Sequence, residues 1–178
     1  MGIYQLAKRA YHEAIAANPN NEITLAENLH SLGLVQSDEG KHEEAMISYN
    51  RALEIRKRLF PPVHPAIGKL YNEMGGTYLS IGRLEEALEH FQKTKAIEEE
   101  SLPENHIERA RTLNNIGVTL FKLDRPEEAL PFVDKAVAIS CNLLPDTDSL
   151  RIMFQKTADI VRKRVDTGSC EGVSVGVK

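Results

Sequence analysis

Cysteine is scarce in this chain of 178 residues. Cys141 falls within an apolar helical pattern and Cys170 in a polar tail, which is too little to build a disulfide framework or a zinc site, so both are read as reduced thiols. No apolar run approaches the roughly 18 residues that would cross a bilayer. The opening residues Met1-Gly2-Ile3-Tyr4-Gln5-Leu6 lack the basic-then-apolar layout of a signal peptide, and Leu6 stands where a myristoylation signal would carry Ser or Thr. A cytoplasmic protein without membrane association is expected. Positive charge is not in excess either: the formal net charge is -4, which gives no general attraction to a phosphate backbone. The basic triplets Arg56-Lys57-Arg58 and Arg162-Lys163-Arg164 have acidic neighbours and no stacking aromatics, and read as solvated helix faces rather than a nucleic-acid surface. Glu98-Glu99-Glu100 reads likewise as a solvated helix end.

The usual parts of an active site are missing as well. His12, His30, His42, His64, His90 and His106 neither pair at the four-residue spacing of a zinc protease nor stand beside a Cys at finger spacing. No glycine-rich loop ends in Lys-Ser or Lys-Thr, and no Gly-x-Ser-x-Gly elbow occurs. Paired carboxylates such as Glu43 and Glu44 suit the positive end of a helix dipole. No catalysis, metal or cofactor is expected.

What is present is a repeat. The tripeptide Glu-Glu-Ala recurs with its alanine at positions 45, 87 and 129, a period of 42 residues. Twelve residues before each alanine lies Gly33, Gly75 or Gly117, and sixteen after it lies Pro61, Pro103 or Pro145. Apolar residues between these markers recur in steps of three and four: Leu29 and Leu32, then Tyr71, Met74 and Tyr78, then Leu113, Ile116 and Leu120. A second stripe runs through Ala45, Tyr49 and Ala52, through Ala87, Phe91 and Thr94, and through Ala129, Val133 and Ala136. Turn-forming sequences at Asp38-Glu39-Gly40-Lys41, Ile81-Gly82-Arg83 and Asp124-Arg125-Pro126 separate the two stripes, so each unit is a tight antiparallel helix pair. The longer links hold prolines, as in Phe60-Pro61-Pro62-Val63-His64-Pro65. A glycine inside a helix costs about 1 kcal/mol relative to alanine, and close approach of the partner helix explains three in phase: Tyr49, Phe91 and Val133 are expected to insert beside Gly33, Gly75 and Gly117.

These residues resemble the tetratricopeptide repeat, with a large apolar residue, then Leu-Gly and a Tyr-like residue in the first helix, and Ala, a Phe-like residue and Ala in the second. The period of 42, Arg51-Ala52-Leu53-Glu54-Ile55-Arg56, His64-Pro65 and Leu113-Asn114-Asn115-Ile116-Gly117 are similar to the lengthened repeats of the kinesin light chain family. The resemblance covers roughly residues 26 to 144 and implies an all-α fold, a right-handed α-solenoid of antiparallel hairpins. The expected repeats are 26–59, 68–101 and 110–143. A half repeat over 1–21 precedes them, with Ala7, Tyr11, Ala14 and Pro19 matching a second helix. A capping helix over 148–165 closes the domain 1–165, and a disordered tail follows over 166–178. Starting in mid-repeat suggests either a piece of a longer protein or a helix serving as amino-terminal cap.

The resemblance also implies a recognition surface, because the first helices of such hairpins line a concave groove. On these helices Lys69, Asn72, Gly76 and Leu79, and again Arg111, Asn114, Val118 and Phe121, point away from the core stripe, with Asn115 and Lys122 flanking them. Lys69, Asn72, Arg111, Asn114, Asn115 and Lys122 are therefore the expected partner-binding residues. An Asn side chain both donates and accepts, so it can hold an extended peptide backbone without reading its sequence. His30 occupies the place equivalent to Asn72 in the first repeat. Acidic Glu27 and Asp38 lie toward one end of the expected groove and basic Lys69, Arg111, Lys122 and Arg162 toward the other, which favours an acidic peptide segment over the second half. The expected function is a protein-protein interaction scaffold. The alternatives are a self-associating fragment, a monomer or weak homodimer pairing through Ile3, Leu6 and Ala10, and a regulatory module of a larger protein.

Overall fold

The computed structural model describes residues 3–17 and 21–171, and within them the regular structure is entirely helical. Eight helices follow in order: α1 (Ile3–Ala17), α2 (Glu22–Asp38), α3 (His42–Leu59), α4 (Pro65–Ser80), α5 (Leu84–Ser101), α6 (Ile107–Lys122), α7 (Pro126–Leu143) and α8 (Ser149–Glu171). None is long and apolar enough to cross a membrane. The chain divides into two compact units, 1–101 with α1 to α5 and 102–178 with α6 to α8. In the first, α2 packs on α3 and α4 on α5; in the second, α6 packs on α7, which also receives α8.

Each hairpin closes at its glycine. A Cβ built on Gly33 would stand 2.5 Å from Tyr49 Cε1, and one on Gly75 2.7 Å from Phe91 Cε1, distances that real Cβ atoms do not tolerate. At Gly117 the obstructing atom is Val133 Cγ1. Tyr49, Phe91 and Val133 are buried together with Ala45, Ala87 and Ala129, so the expected small-against-large contact is present in all three hairpins.

The turn between paired helices is also periodic. Gly40 (φ 76°), Gly82 (φ 78°) and Asp124 (φ 59°) occupy the left-handed region at one repeat position. Each is flanked by the same two hydrogen bonds: Lys41 N to Gln36 O at 2.8 Å with Gly40 N to Ser37 O at 2.9 Å, and their counterparts from Arg83 and Gly82 and from Arg125 and Asp124. This pattern satisfies the last carbonyls of α2, α4 and α6 and stops each helix at a fixed residue.

First helices begin earlier than the repeat boundaries at 68 and 110 suggest. Pro65, assigned from sequence to the link, is the first residue of α4, where its missing N-H would be unpaired anyway. The initiating group is histidine: His64 Nδ1 accepts from Ala66 N at 3.1 Å and His106 Nδ1 from Glu108 N at 3.2 Å. Asp148, another 42 residues on, accepts from Leu150 N at 2.8 Å. An imidazole nitrogen thus takes the capping role usually given to Ser, Thr, Asn or Asp.

At the expected cap, Phe154, Ala158 and Val161 of α8 are buried. Asp159 stands where the repeat would place glycine, and its Oδ1 accepts from Gln155 Nε2 at 2.9 Å and Arg162 Nη1 at 3.1 Å. Helix α8 runs to Glu171, past Val165 where the sequence reading ends it, so residues 166–171 are helical. The rest of the expected tail, 172–178, lies outside the described residues, as do Met1, Gly2 and Pro19.

Candidate functional site

The face expected to meet a partner is built from first helices. In the first unit α2 touches α4, and the hydroxyls of Ser37 and Thr77 meet across them at 3.2 Å. Lys69 is exposed on α4, and Asn72, one turn on, is half-buried and has a bonding partner. His30, the corresponding residue of α2, is only 6 % exposed. Its Nδ1 lies 3.3 Å from Arg56 Nη2. A guanidinium only donates, so Nδ1 accepts and the ring proton resides on Nε2, which is buried and has no hydrogen-bond partner. Burial, assisted by the positive charges of Arg56 and Lys69, lowers the His30 pKa to about 4, and the ring is neutral at pH 7.

Arg56 is 7 % exposed. Its Nη1 donates to Ala66 O at 2.7 Å, tying the last turn of α3 to the first turn of α4. Burial lowers its pKa, opposed by the negative charge of Glu27. The reading of Arg56 as part of a solvated face is therefore corrected. The basic triplet straddles two faces of α3, and the inner one belongs to Arg56, while Lys57 and Arg58 are exposed. Glu98, 42 residues later, is buried too, against the expectation of a solvated helix end, and the third member of the column is buried Ser140.

In the second unit the expected residues all lie on α6, which touches α8. Arg111 is exposed and pairs with Glu108 at 3.6 Å. Lys122 is exposed, and Asn115 is half-buried and partnered. Asn114 differs from Asn72: it is 5 % exposed, and its Oδ1 is a buried acceptor without a partner. Arg162, expected at the basic end of the groove, is engaged by Asp134 at 2.7 Å and Asp159 at 3.1 Å, which compensates its charge internally.

Lys69 and Asn72 thus lie together in one unit, and Arg111, Asn114, Asn115 and Lys122 in the other. His30 and Arg56 were missed from sequence. Their one visible signal was phase, since His30 shares the repeat position of Asn72 and Asn114.

Models of the tetratricopeptide repeat family match residues 26–58 and 66–142, more than half of the chain between them. The chain belongs to the tetratricopeptide repeat family. Comparison with curated protein sequences gives no match. Among solved structures this tetratricopeptide repeat protein is similar to the nearly identical TPR-like repeats of a Podosopora anserina protein described as a kinesin light chain. That likeness has 18 % identity and a TM-score of 0.76, over 92 % of this chain and 80 % of that one. It is also similar to BtubC (BKLC) from P. vanneervenii, at 20 % identity and TM-score 0.73 over 90 % and 70 % of the two chains. The Sgt2 TPR domain from Aspergillus fumigatus matches at 14 % identity and TM-score 0.64, over 86 % and 87 %. At these identities the likeness concerns the fold. The tetratricopeptide repeat fold is that of a protein-protein interaction scaffold, in a family that is generally not enzymatic.

Proposed function

We propose that this chain is a cytoplasmic, kinesin-light-chain-like scaffold whose first helices hold an extended segment of a partner protein. Asn72 and Asn114 supply amide contacts to the partner's backbone, with Asn115 beside them. Exposed Lys69, Arg111 and Lys122 favour acidic side chains. The observation that carries this reading is the Asn114 Oδ1, a buried acceptor without a donor on the helix where the family resemblance places the groove. Leaving such a group unpaired costs about 1–3 kcal/mol, which a peptide N-H would recover. A peptide array read with wild type, Asn72→Ala/Asn114→Ala and Lys69→Ala/Arg111→Ala tests it. The amide double variant should lose binding to most sequences, and the basic double variant selectively to acidic ones. Equal binding by all three would sink the assignment.

A second reading is self-association through the opening helix, favoured by the 55 % exposure of Leu6. Light scattering distinguishes the two: a dimer in wild type that Leu6→Glu dissociates supports pairing. The side chain of Ile3 lies outside the described residues, and Ala10 is exposed.

A further inference from the structure

We propose that the first unit contains a carboxylate-binding subsite formed by Arg56 and His30 and approached beside Lys69, which receives an acidic side chain of the bound segment. The inference rests on the peptide-binding reading of the first-helix face and adds to it a chemical class and a location.

A buried guanidinium is normally neutralised by a carboxylate, because taking an isolated charge out of water is unfavourable by several kcal/mol. The two partners of Arg56 are a backbone carbonyl and a neutral imidazole, Ala66 O at 2.7 Å and His30 Nδ1 at 3.3 Å. No carboxylate among the described residues forms an ion pair with it; Glu27 is close enough only to act on it electrostatically. The adjoining His30 Nε2-H is a second buried donor without an acceptor. Lys69 is exposed on the neighbouring α4, and its positive charge reaches His30. Three donors are therefore assembled within one unit, and among the described residues none of them forms an ion pair with a carboxylate.

The fold does not require this arrangement. At the repeat position of Arg56 the other hairpins carry Glu98 and Ser140, and at that of His30 they carry Asn72 and Asn114. The Ser140 hydroxyl bonds within its own helix, to Val137 O at 2.9 Å. A carboxylate accepts charge-assisted hydrogen bonds, and a guanidinium presents donors at matching spacing. The flexible stem of Lys69 allows its ammonium to move aside and then close over the bound anion. Exposed Glu27, which bears the same charge as the ligand and acts on Arg56, opposes its entry.

The test is calorimetric titration of the full chain at pH 7.5 with Ac-Leu-Glu-Leu-Glu-Leu-Glu-NH2 and with the same peptide carrying Gln for Glu. The His30 imidazole is followed by NMR in parallel. Wild type should bind the Glu peptide at least tenfold more tightly, with a saturable shift of the His30 ring that the Gln peptide does not produce. Arg56→Met should abolish the preference while the melting temperature stays level or rises, because it removes an uncompensated buried charge. Lys69→Ala should weaken it severalfold. Glu27→Gln should strengthen it, and this exposed substitution carries the test if Arg56→Met does not fold. Equal affinity for the two peptides, or a preference that survives in folded Arg56→Met or is unmoved by Glu27→Gln, overturns the subsite and leaves the groove standing. Binding of neither peptide overturns the groove and the subsite together.

Discussion

The first hairpin of the first unit, α2 and α3, and the hairpin of the second, α6 and α7, share one frame and differ in what they bury. Both close with a glycine against a large side chain, Gly33 on Tyr49 and Gly117 on Val133. Both turn through a left-handed residue, Gly40 and Asp124. Inside that frame the first unit encloses an imidazole and a guanidinium, His30 and Arg56, where the second encloses Asn114 and Ser140. The frame is defined by volume and backbone angle, which leave little choice of residue. Polar positions beside it are not constrained in that way, and each unit leaves a different buried atom unpaired, His30 Nε2 in the first and Asn114 Oδ1 in the second.

Acid should separate the two units most strongly. The ordinary pKa of His30, 6.5, falls to about 4 on folding, so the unfolded chain takes up a proton that the native state refuses. Stability is therefore full above pH 6.5 and is lost as pH falls through that value toward 4, by about 3 kcal/mol for this group. His90, also in the first unit, is lowered by burial and adds to the loss. Hydrogen exchange at pH 7 and pH 4.5 should show amides of α2 and α4 losing protection before those of α6. His30→Asn should flatten the difference, and equal loss in both units would break the comparison.

A side chain at the closing glycine tests whether the frames are equivalent. Gly75→Val should cost about 2–3 kcal/mol in a urea titration, because the ring of Phe91 cannot retreat. Gly117→Ala meets a single methyl of Val133, so pairing it with Val133→Ala should restore much of the loss; failure of that rescue would show that the second hairpin closes by other contacts.

Pro131 marks a difference confined to the second unit. It lies inside α7 at an exposed position, where it removes one backbone hydrogen bond. Pro131→Ala should raise stability by about 1–2 kcal/mol, measured as a higher denaturation midpoint. The smallest effect is expected at Asp124, which adopts a backbone angle that its counterparts meet with glycine. Asp124→Gly should gain about 0.5–1 kcal/mol despite losing the exposed pair with Arg164 at 3.0 Å. A loss there would mean that the ion pair outweighs the backbone.

Much of the fold was legible because its markers repeat every 42 residues: the glycine, the large side chain beside it, the Glu-Glu-Ala run and the turn all recur in phase. The last helix was legible over most of its length, and Phe154, Ala158 and Val161 on it are buried. Helix starts were less so, because histidine at 64 and 106 is an uncommon cap and the prolines drew attention to the link instead. The candidate site was legible as positions and not as environments. Asn72 and Asn114 share a repeat position, yet one is half-buried with a partner and the other is buried with its oxygen unpaired.

By itself the sequence determined the helical hairpins, their period and the contacts that close them, since helical spacing and the volume of a glycine are local properties that recur wherever the pattern does. Only the tertiary structure decided that Arg56 turns inward, that His30 gives up its charge, and that Asn114 is enclosed. Burial and electrostatic environment depend on which side chains arrive from other helices, and no spacing within one helix encodes that.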